Sequence, residues 1–291
     1  MEYTSESPLA NPRILRTHVS RCEESSIPKQ LIRSAHEYAK EIEKALIGAV
    51  SKLTADVKRI GVPFSGGLDS SIIAEIASRS TDVTLYVSGF EDSHDFRVAD
   101  ESASMLDLPI IKIKIVEKDI ESAIPICAEI IKSDNPVVLS FELPLFFTAK
   151  NSIEKILLSG QGADELFAGY AKYLKSKSLE KELQNDVNEL KNKGILRDKN
   201  VASYFGKELR TPFLDEKVVK IGLGVPAEYK IRNGIRKHVL REVGKSLGLP
   251  EEIVMRKKKA AQYSSGIMKG MRKLAKEKNL GLKDYIKGVK D

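Results

Sequence analysis

The run Val62-Pro63-Phe64-Ser65-Gly66-Gly67-Leu68-Asp69-Ser70-Ser71 passes from a short apolar strand pattern through two glycines into helical spacing. A strand that turns this tightly into a helix is one half of a β-α unit, and the N-terminal half of the chain repeats that unit. Apolar runs near 58–64, 83–88, 110–115 and 155–159 read as strands, with helical periodicity near 70–79, 95–106, 118–132 and 140–151. A helix from Gln30 to Leu53 precedes them, its stripe formed by Leu31, Ala35, Tyr38, Ile42, Ala45, Leu46, Ala49 and Leu53. From residue 163 onward the pattern is nearly all helical, and the polar stretch Lys175 to Asn200 reads as a solvated helix and loop. Residues 1–28, with Pro8, Pro12 and Pro28, read as an irregular N-terminal arm. This alternation implies an α/β fold: a parallel-sheet core with helices on both faces, a ligand site at the carboxyl ends of its strands, and a mostly helical C-terminal part.

Backbone N–H groups at a glycine turn and at the open start of the next helix point to one place, which suits phosphate. Ser65, Ser70 and Ser71 add hydroxyl donors, and Asp69 adds a carboxylate that fits beside phosphates when it holds a metal. The pattern Ser-Gly-Gly-x-Asp-Ser resembles the pyrophosphate loop of the N-type ATP pyrophosphatases, which cleave ATP to AMP and pyrophosphate. It lacks the lysine of the Walker loop, and Gly244-Lys245-Ser246 has Val239 where Walker spacing needs glycine. A second glycine turn follows the apolar run Ile156-Leu157-Leu158. Ser159-Gly160-Gln161-Gly162-Ala163-Asp164-Glu165-Leu166-Phe167-Ala168-Gly169-Tyr170 resembles the Ser-Gly-x-Gly-x-Asp-Glu-x-Phe-x-Gly-Tyr segment of asparagine synthetases. Leu209 to Asp215 is similar to the Arg-x-Pro-Phe-Leu-Asp signature of the same enzymes, Gly234 to Glu242 to their Gly-x-x-K-x-x-L-R helix, and Arg256 to Gly266 to the basic loop after it. The resemblance runs from about residue 35 to about 268. It identifies residues 29–268 as a synthetase domain of the asparagine synthetase family, of the PP-loop ATP pyrophosphatase type, with a basic helical tail at 269–291.

That resemblance implies ATP-dependent adenylation of a carboxylate, most simply the aspartate side chain, with release of pyrophosphate and attack by ammonia to give asparagine or a related amide. It implies ATP and Mg²⁺. Ser65, Gly66, Gly67, Ser70 and Ser71 would hold pyrophosphate, Asp69 and Asp164 would bind the metal, and Lys237 would stabilise charge on the reacting phosphate and oxyanion. Val87, Ser88, Gly89, Ser159 and Gly160 would meet adenine and ribose. Gln161 departs from the family's Ser-Gly-Glu-Gly, whose glutamate is thought to position or deprotonate the incoming ammonium; an amide accepts no proton near neutral pH. In β-lactam synthetases, a branch with a similar domain, the nucleophile is an amine of the substrate itself.

Glutamine-dependent members resemble one another in an N-terminal glutaminase domain with a cysteine nucleophile exposed after methionine removal. Here Glu2 follows Met1 and about thirty residues precede the first helix, so ammonia is expected from solution or from a separate glutaminase subunit. Cys22 and Cys127 are the only cysteines; they form no C-x-x-C and read as ordinary thiols rather than disulfide or zinc ligands. No apolar run approaches 18 residues and no signal sequence opens the chain, so a cytoplasmic protein without membrane insertion is expected. Residues 230–291 hold 18 Lys/Arg against 6 Asp/Glu, a net of +12 in a chain whose total is +7. That surplus suits a triphosphate pocket, an RNA or a solvated face. Lys237 and Arg241, four residues apart, share a helix face able to turn toward an anion. Adenylation of another carboxylate or of RNA, and a non-catalytic ATP-binding regulator, are the alternatives.

Overall fold

Helix α1 (Ala35–Thr54) starts where its sequence provides a cap. The Ser34 hydroxyl accepts from the Glu37 amide at 3.2 Å while the Glu37 carboxylate accepts from the Ser34 amide at 2.6 Å, so two otherwise orphaned donors are satisfied reciprocally. The computed structural model describes residues 33–257 and 265–290. The expected irregular arm at 1–28, residues 30–32 of the first expected helix, Cys22 and most of the Arg256–Gly266 segment lie outside the described residues. The chain divides at Arg33/Ser34, and the fold belongs to the second unit.

Five strands of that unit form its main sheet: β1 (Arg59–Pro63), β2 (Asp82–Gly89), β3 (Ile110–Lys114), β4 (Ile156–Leu158) and β5 (Glu208–Arg210). Every pairing in this sheet is parallel, in the order β3-β2-β1-β4-β5, with Val62 beside Leu85 and Gly61 beside Leu157. The crossovers carry α2 (Leu68–Ser78), α3 (His94–Leu106), α4 (Glu117–Ile131) and α5 (Pro136–Asn151). Helix α5 begins four residues before its expected start because Asn135 caps it, accepting from the Val137 amide at 2.9 Å, and Pro136 occupies the first turn, where its missing N–H costs nothing. Strand β5 lies in the region that the sequence pattern marks as helical; it is three residues long and buries only Leu209.

Both sheet faces are covered, as the near-continuous apolar strands require. Leu85 and Val87 join Ile42, Leu46, Ile72 and Ile73 in one core under α1, α2 and α3. On the other face α4 and α5 form a second core with Ile120, Ile124, Leu139 and Leu143. The basic C-terminal segment contributes to it. Helices Ile267–Glu277 and Leu282–Lys290 bury Ile267, Met271, Leu274, Tyr285 and Ile286 there, while Lys269, Arg272, Lys273, Lys276 and Lys287 are exposed. Each such apolar side chain contributes about 1.5–3 kcal/mol on burial, which is enough to dock an otherwise charged helix. No helix among the described residues is long and apolar enough to cross a membrane.

Candidate active site

Chain order reverses at β1, which pairs with β2 on one side and β4 on the other. Connections leave β1 and β4 toward opposite sides, so a crevice opens beyond their carboxyl ends. A cleft of about 290 Å³ lies there, and both glycine turns border it through Ser65, Gly67, Ser159 and Gly160. Gly67 caps α2 without a side chain, which leaves the first amides of that helix available at the cleft.

Three charged side chains meet in this cleft from three separate elements. Asp69 stands in the first turn of α2, Asp164 in the short helix α6 (Ala163–Leu166), and Lys237 immediately before a C-terminal helix, His238–Ser246. Lys237 Nζ lies 2.6 and 2.5 Å from the two Asp69 carboxylate oxygens and 2.6 Å from Asp164 Oδ1. The Lys237 residue is 5% exposed. Its backbone is left-handed, φ +57° and ψ +33°, a conformation that costs a non-glycine residue about 1–2 kcal/mol. A hairpin leads directly into it. Ile231–Arg232 and Ile235–Arg236 pair antiparallel through Asn233 and Gly234, both at positive φ, and the Arg236 guanidinium donates to the Gly169 carbonyl. Two carboxylates and one ammonium leave a net negative charge, while Arg241, Arg256 and Lys257 line the same cleft. Arg256 donates to the Gly66 carbonyl at 2.7 Å, tying the segment after Val254 to the first glycine turn.

Most of the residues that the motifs single out border this one cleft: Ser65, Gly67, Asp69, Ser70, Val87, Ser88, Ser159, Gly160, Gln161, Asp164 and Lys237. Gly66, Ser71 and Gly89 do not. Gly66, at φ +67°, is backed against α3, where a Cβ would fall 2.5 Å from the Val98 carbonyl oxygen. Ser71 is fully buried in α2, and its hydroxyl has no hydrogen-bond partner among the described residues. A Cβ on Gly89 would fall 2.8 Å from the Ser265 carbonyl oxygen, so this glycine admits the backbone of the C-terminal segment. Gly244-Lys245-Ser246 lies within the helix His238–Ser246, away from any phosphate-type turn.

Sequence reasoning missed one whole wall of the cleft. Phe141, Pro144, Leu145 and Thr148 of α5 line it, and the Ser88 hydroxyl donates to the Pro144 carbonyl at 2.8 Å. It also missed Asp198. The stretch 175–200 is not merely solvated: helices α7 (Leu179–Glu189) and α8 (Ile195–Tyr204) bury Leu183, Val187 and Val201, and α8 delivers Asp198 to the cleft at 5% exposure. Gln161 Nε2 donates to Asp198 Oδ2 at 3.1 Å. Glu142 of α5 is hydrogen-bonded to Asp198 and accepts from Arg197 Nε at 3.2 Å. Burial first, then the Asp198 charge, pushes the Glu142 carboxyl up to about 9; burial raises Asp198 to about 6.

The sequence matches the Asparagine synthase family over residues 41–183 and 174–280. The chain belongs to this family. It is 36% identical to a protein of Methanocaldococcus jannaschii named as a candidate glutamine-hydrolyzing asparagine synthetase, across 84% of this chain and 52% of that one. It is 32% identical to the human glutamine-hydrolyzing asparagine synthetase across 75% of this chain and 42% of that one. The chain thus spans about half the length of the curated relatives it matches. The solved NMN synthetase of Francisella tularensis is superimposable at a TM-score of 0.44 and 14% identity, covering 88% of this chain and 86% of that one.

The resemblance in the sequence implies ATP and Mg²⁺, and the side chains gathered here can be tested for their fit to the metal. Among the described residues no group of three or more His, Cys, Asp or Glu stands ready to hold an ion alone. Two carboxylates converge on a single point, however, where the Lys237 ammonium bridges them. Magnesium is ordinarily held by one or two carboxylates completed by substrate phosphates and water, and Asp69 and Asp164 supply that number.

Proposed function

We propose that this protein is an ATP-dependent amide ligase that adenylates a carboxylate, most simply the aspartate side chain, releases pyrophosphate, and passes the acyl group to ammonia. The observation that carries this reading is the meeting of Asp69, Asp164 and Lys237 between two glycine turns at the switch point of a parallel sheet, in a chain of the Asparagine synthase family.

A carboxylate resists ammonia because its oxygen leaves poorly, so the acid must first be activated. Here the Gly67 amide region, Ser65 and Ser70 bind the β- and γ-phosphates at the start of α2, while Val87, Ser88 and the α5 wall receive the nucleoside. The substrate carboxylate then attacks the α-phosphorus, the bond to pyrophosphate breaks, and a mixed anhydride with AMP remains. Lys237 is placed to donate hydrogen bonds to oxygens that gain charge in this step, in a low-dielectric cleft where such donors act most strongly. Mg²⁺, held by Asp69 and Asp164, would offset the charge of the departing pyrophosphate. Residues 29–268 form the ligase domain in this reading and 269–291 an appended helical tail. Ammonia is the nitrogen donor in this reading, and the enzyme works in the cytoplasm.

The test is pyrophosphate release from Mg-ATP by the purified protein, with and without aspartate, each with and without ammonium. Release that requires aspartate, with asparagine formed only when ammonium is present, is expected. ATP binding with no carboxylate-dependent release would overturn the reading.

A further inference from the structure

Of the carboxylates in the cleft, Asp69 and Asp164 share the Lys237 ammonium, whereas Asp198 is bonded to the Gln161 amide. Behind Asp198 stands Glu142, 3% exposed, and beyond it Arg197. Two carboxyl groups in hydrogen-bond contact hold one proton between them, because one must donate. Both groups are buried, but the Asp198 charge raises Glu142 further, whereas hydrogen bonds from Glu142 and Gln161 and the Arg197 charge hold Asp198 lower, so the proton stays on Glu142 and Asp198 is the anion on the cleft side.

We propose that Asp198 is the catalytic base for the nitrogen nucleophile: its carboxylate, held by Gln161 and Glu142 in the cleft that contains Lys237, binds an ammonium ion and takes one of its protons. This inference rests on the ligase reading above and assigns that reading's second half-reaction. Ammonium gives one proton to Asp198, and the resulting ammonia attacks the acyl carbon. The C–N bond forms, the C–O bond to the adenylate breaks with its electron pair left on AMP, and the nitrogen loses a second proton to solvent. Gln161 cannot accept a proton; together with Glu142 it is a positioning residue, one donating an amide N–H and the other a carboxyl O–H to Asp198.

The experiment compares wild type with Asp198→Asn in three assays: aspartate-dependent ATP–pyrophosphate exchange, amide formation with ammonium, and hydroxamate formation with hydroxylamine. Hydroxylamine is uncharged near neutral pH and a stronger nucleophile, so it depends less on an anion and a base. Asp198→Asn is expected to lower kcat/KM for ammonium by about 100-fold or more, and at least about tenfold further than it lowers exchange or hydroxylamine transfer. Glu142→Gln, which keeps a donor toward Asp198, is expected to retain ammonium transfer, and Glu142→Leu to lose it in the same selective way. Unchanged ammonium transfer in Asp198→Asn, or an equal fall in all three assays, overturns the assignment. A wild-type protein lacking exchange with any carboxylate overturns the ligase reading and the base assignment together.

Discussion

A Cβ on Gly169 would lie 1.8 Å from Asp164 Oδ1, and 2.2 Å from Lys237 Cε. The glycine is therefore a space requirement for the ion pair and has nothing to do with turn geometry, since its φ is not in the left-handed region. The atoms in the way are side-chain ends, which can swing aside without disturbing the sheet. Gly169→Ala is accordingly expected to fold with a Tm within a few degrees of wild type while pyrophosphate exchange falls about 100-fold, the usual cost of a displacement near 1 Å at a reacting group. Thermal melting and exchange assays on the same preparation check this. Wild-type exchange would show that the Lys237–Asp164 contact is not used in the reaction.

Lys237 supplies the cation that lets Asp69 and Asp164 approach one point. Removing one partner from a buried ion cluster commonly costs 3–5 kcal/mol, because the remaining charges are left uncompensated. Lys237→Met should lower Tm in chelator, and Mg²⁺ should restore more of it than the same ion adds to wild type, by occupying the vacated position. The absence of any Mg²⁺-dependent shift in this variant would count against the two aspartates as metal ligands.

Gly66 answers to a different requirement from its neighbour in the same motif. Its φ of +67° and the Val98 carbonyl oxygen 2.5 Å from a built Cβ leave no room for a side chain, and the obstacle is backbone. A Cβ on Gly67 meets only the Ser65 hydroxyl, at 3.4 Å. Gly66→Ala should therefore destabilise the fold by roughly 2–4 kcal/mol, combining left-handed strain with a clash. Gly67→Ala should cost far less stability and act on ATP affinity. Urea denaturation of both variants separates the two, and equal midpoints would refute the distinction.

The same contrast marks what was legible in the sequence. Strands β1 to β4 and helices α1 to α5 were readable because short apolar runs alternated with 3.6-residue apolar patterns, and the two glycine turns were readable because each stands between such a run and a helix. Strand β5 was not, since a three-residue strand with Glu208 and Arg210 flanking one buried leucine has no periodicity to detect. Asp198 was hidden for another reason. It sits in a run of lysines, glutamates and asparagines, where composition indicates solvent, and only scattered apolar residues such as Leu183, Val187 and Ile195 hinted that one face was buried. The α5 wall reads as core in any sequence, because Phe141, Pro144 and Leu145 carry no chemistry that separates a binding surface from packing. Gly66 and Gly67 are adjacent identical letters, and nothing short of the backbone distinguishes a glycine needed for φ from one needed for access.

The Glu142 carboxyl gives stability a pH dependence whose sign follows from its burial. The group titrates near 4.5 when unfolded and at about 9 in the folded protein. Between those values the native state holds a proton that the unfolded chain has released, so stability falls as pH rises across that window, by at most about 1.4 kcal/mol per pH unit. Asp198, raised to about 6 by burial, adds the same sign over the lower part of the range. Glu142→Gln carries an amide that does not titrate, retains the acceptor for Arg197, and removes this slope. Its Tm relative to wild type should therefore be near parity at pH 5 and increasingly higher toward pH 9. Melting curves of the two proteins across that range decide the matter, and a constant difference would mean that Glu142 is already ionised at neutral pH in the folded state.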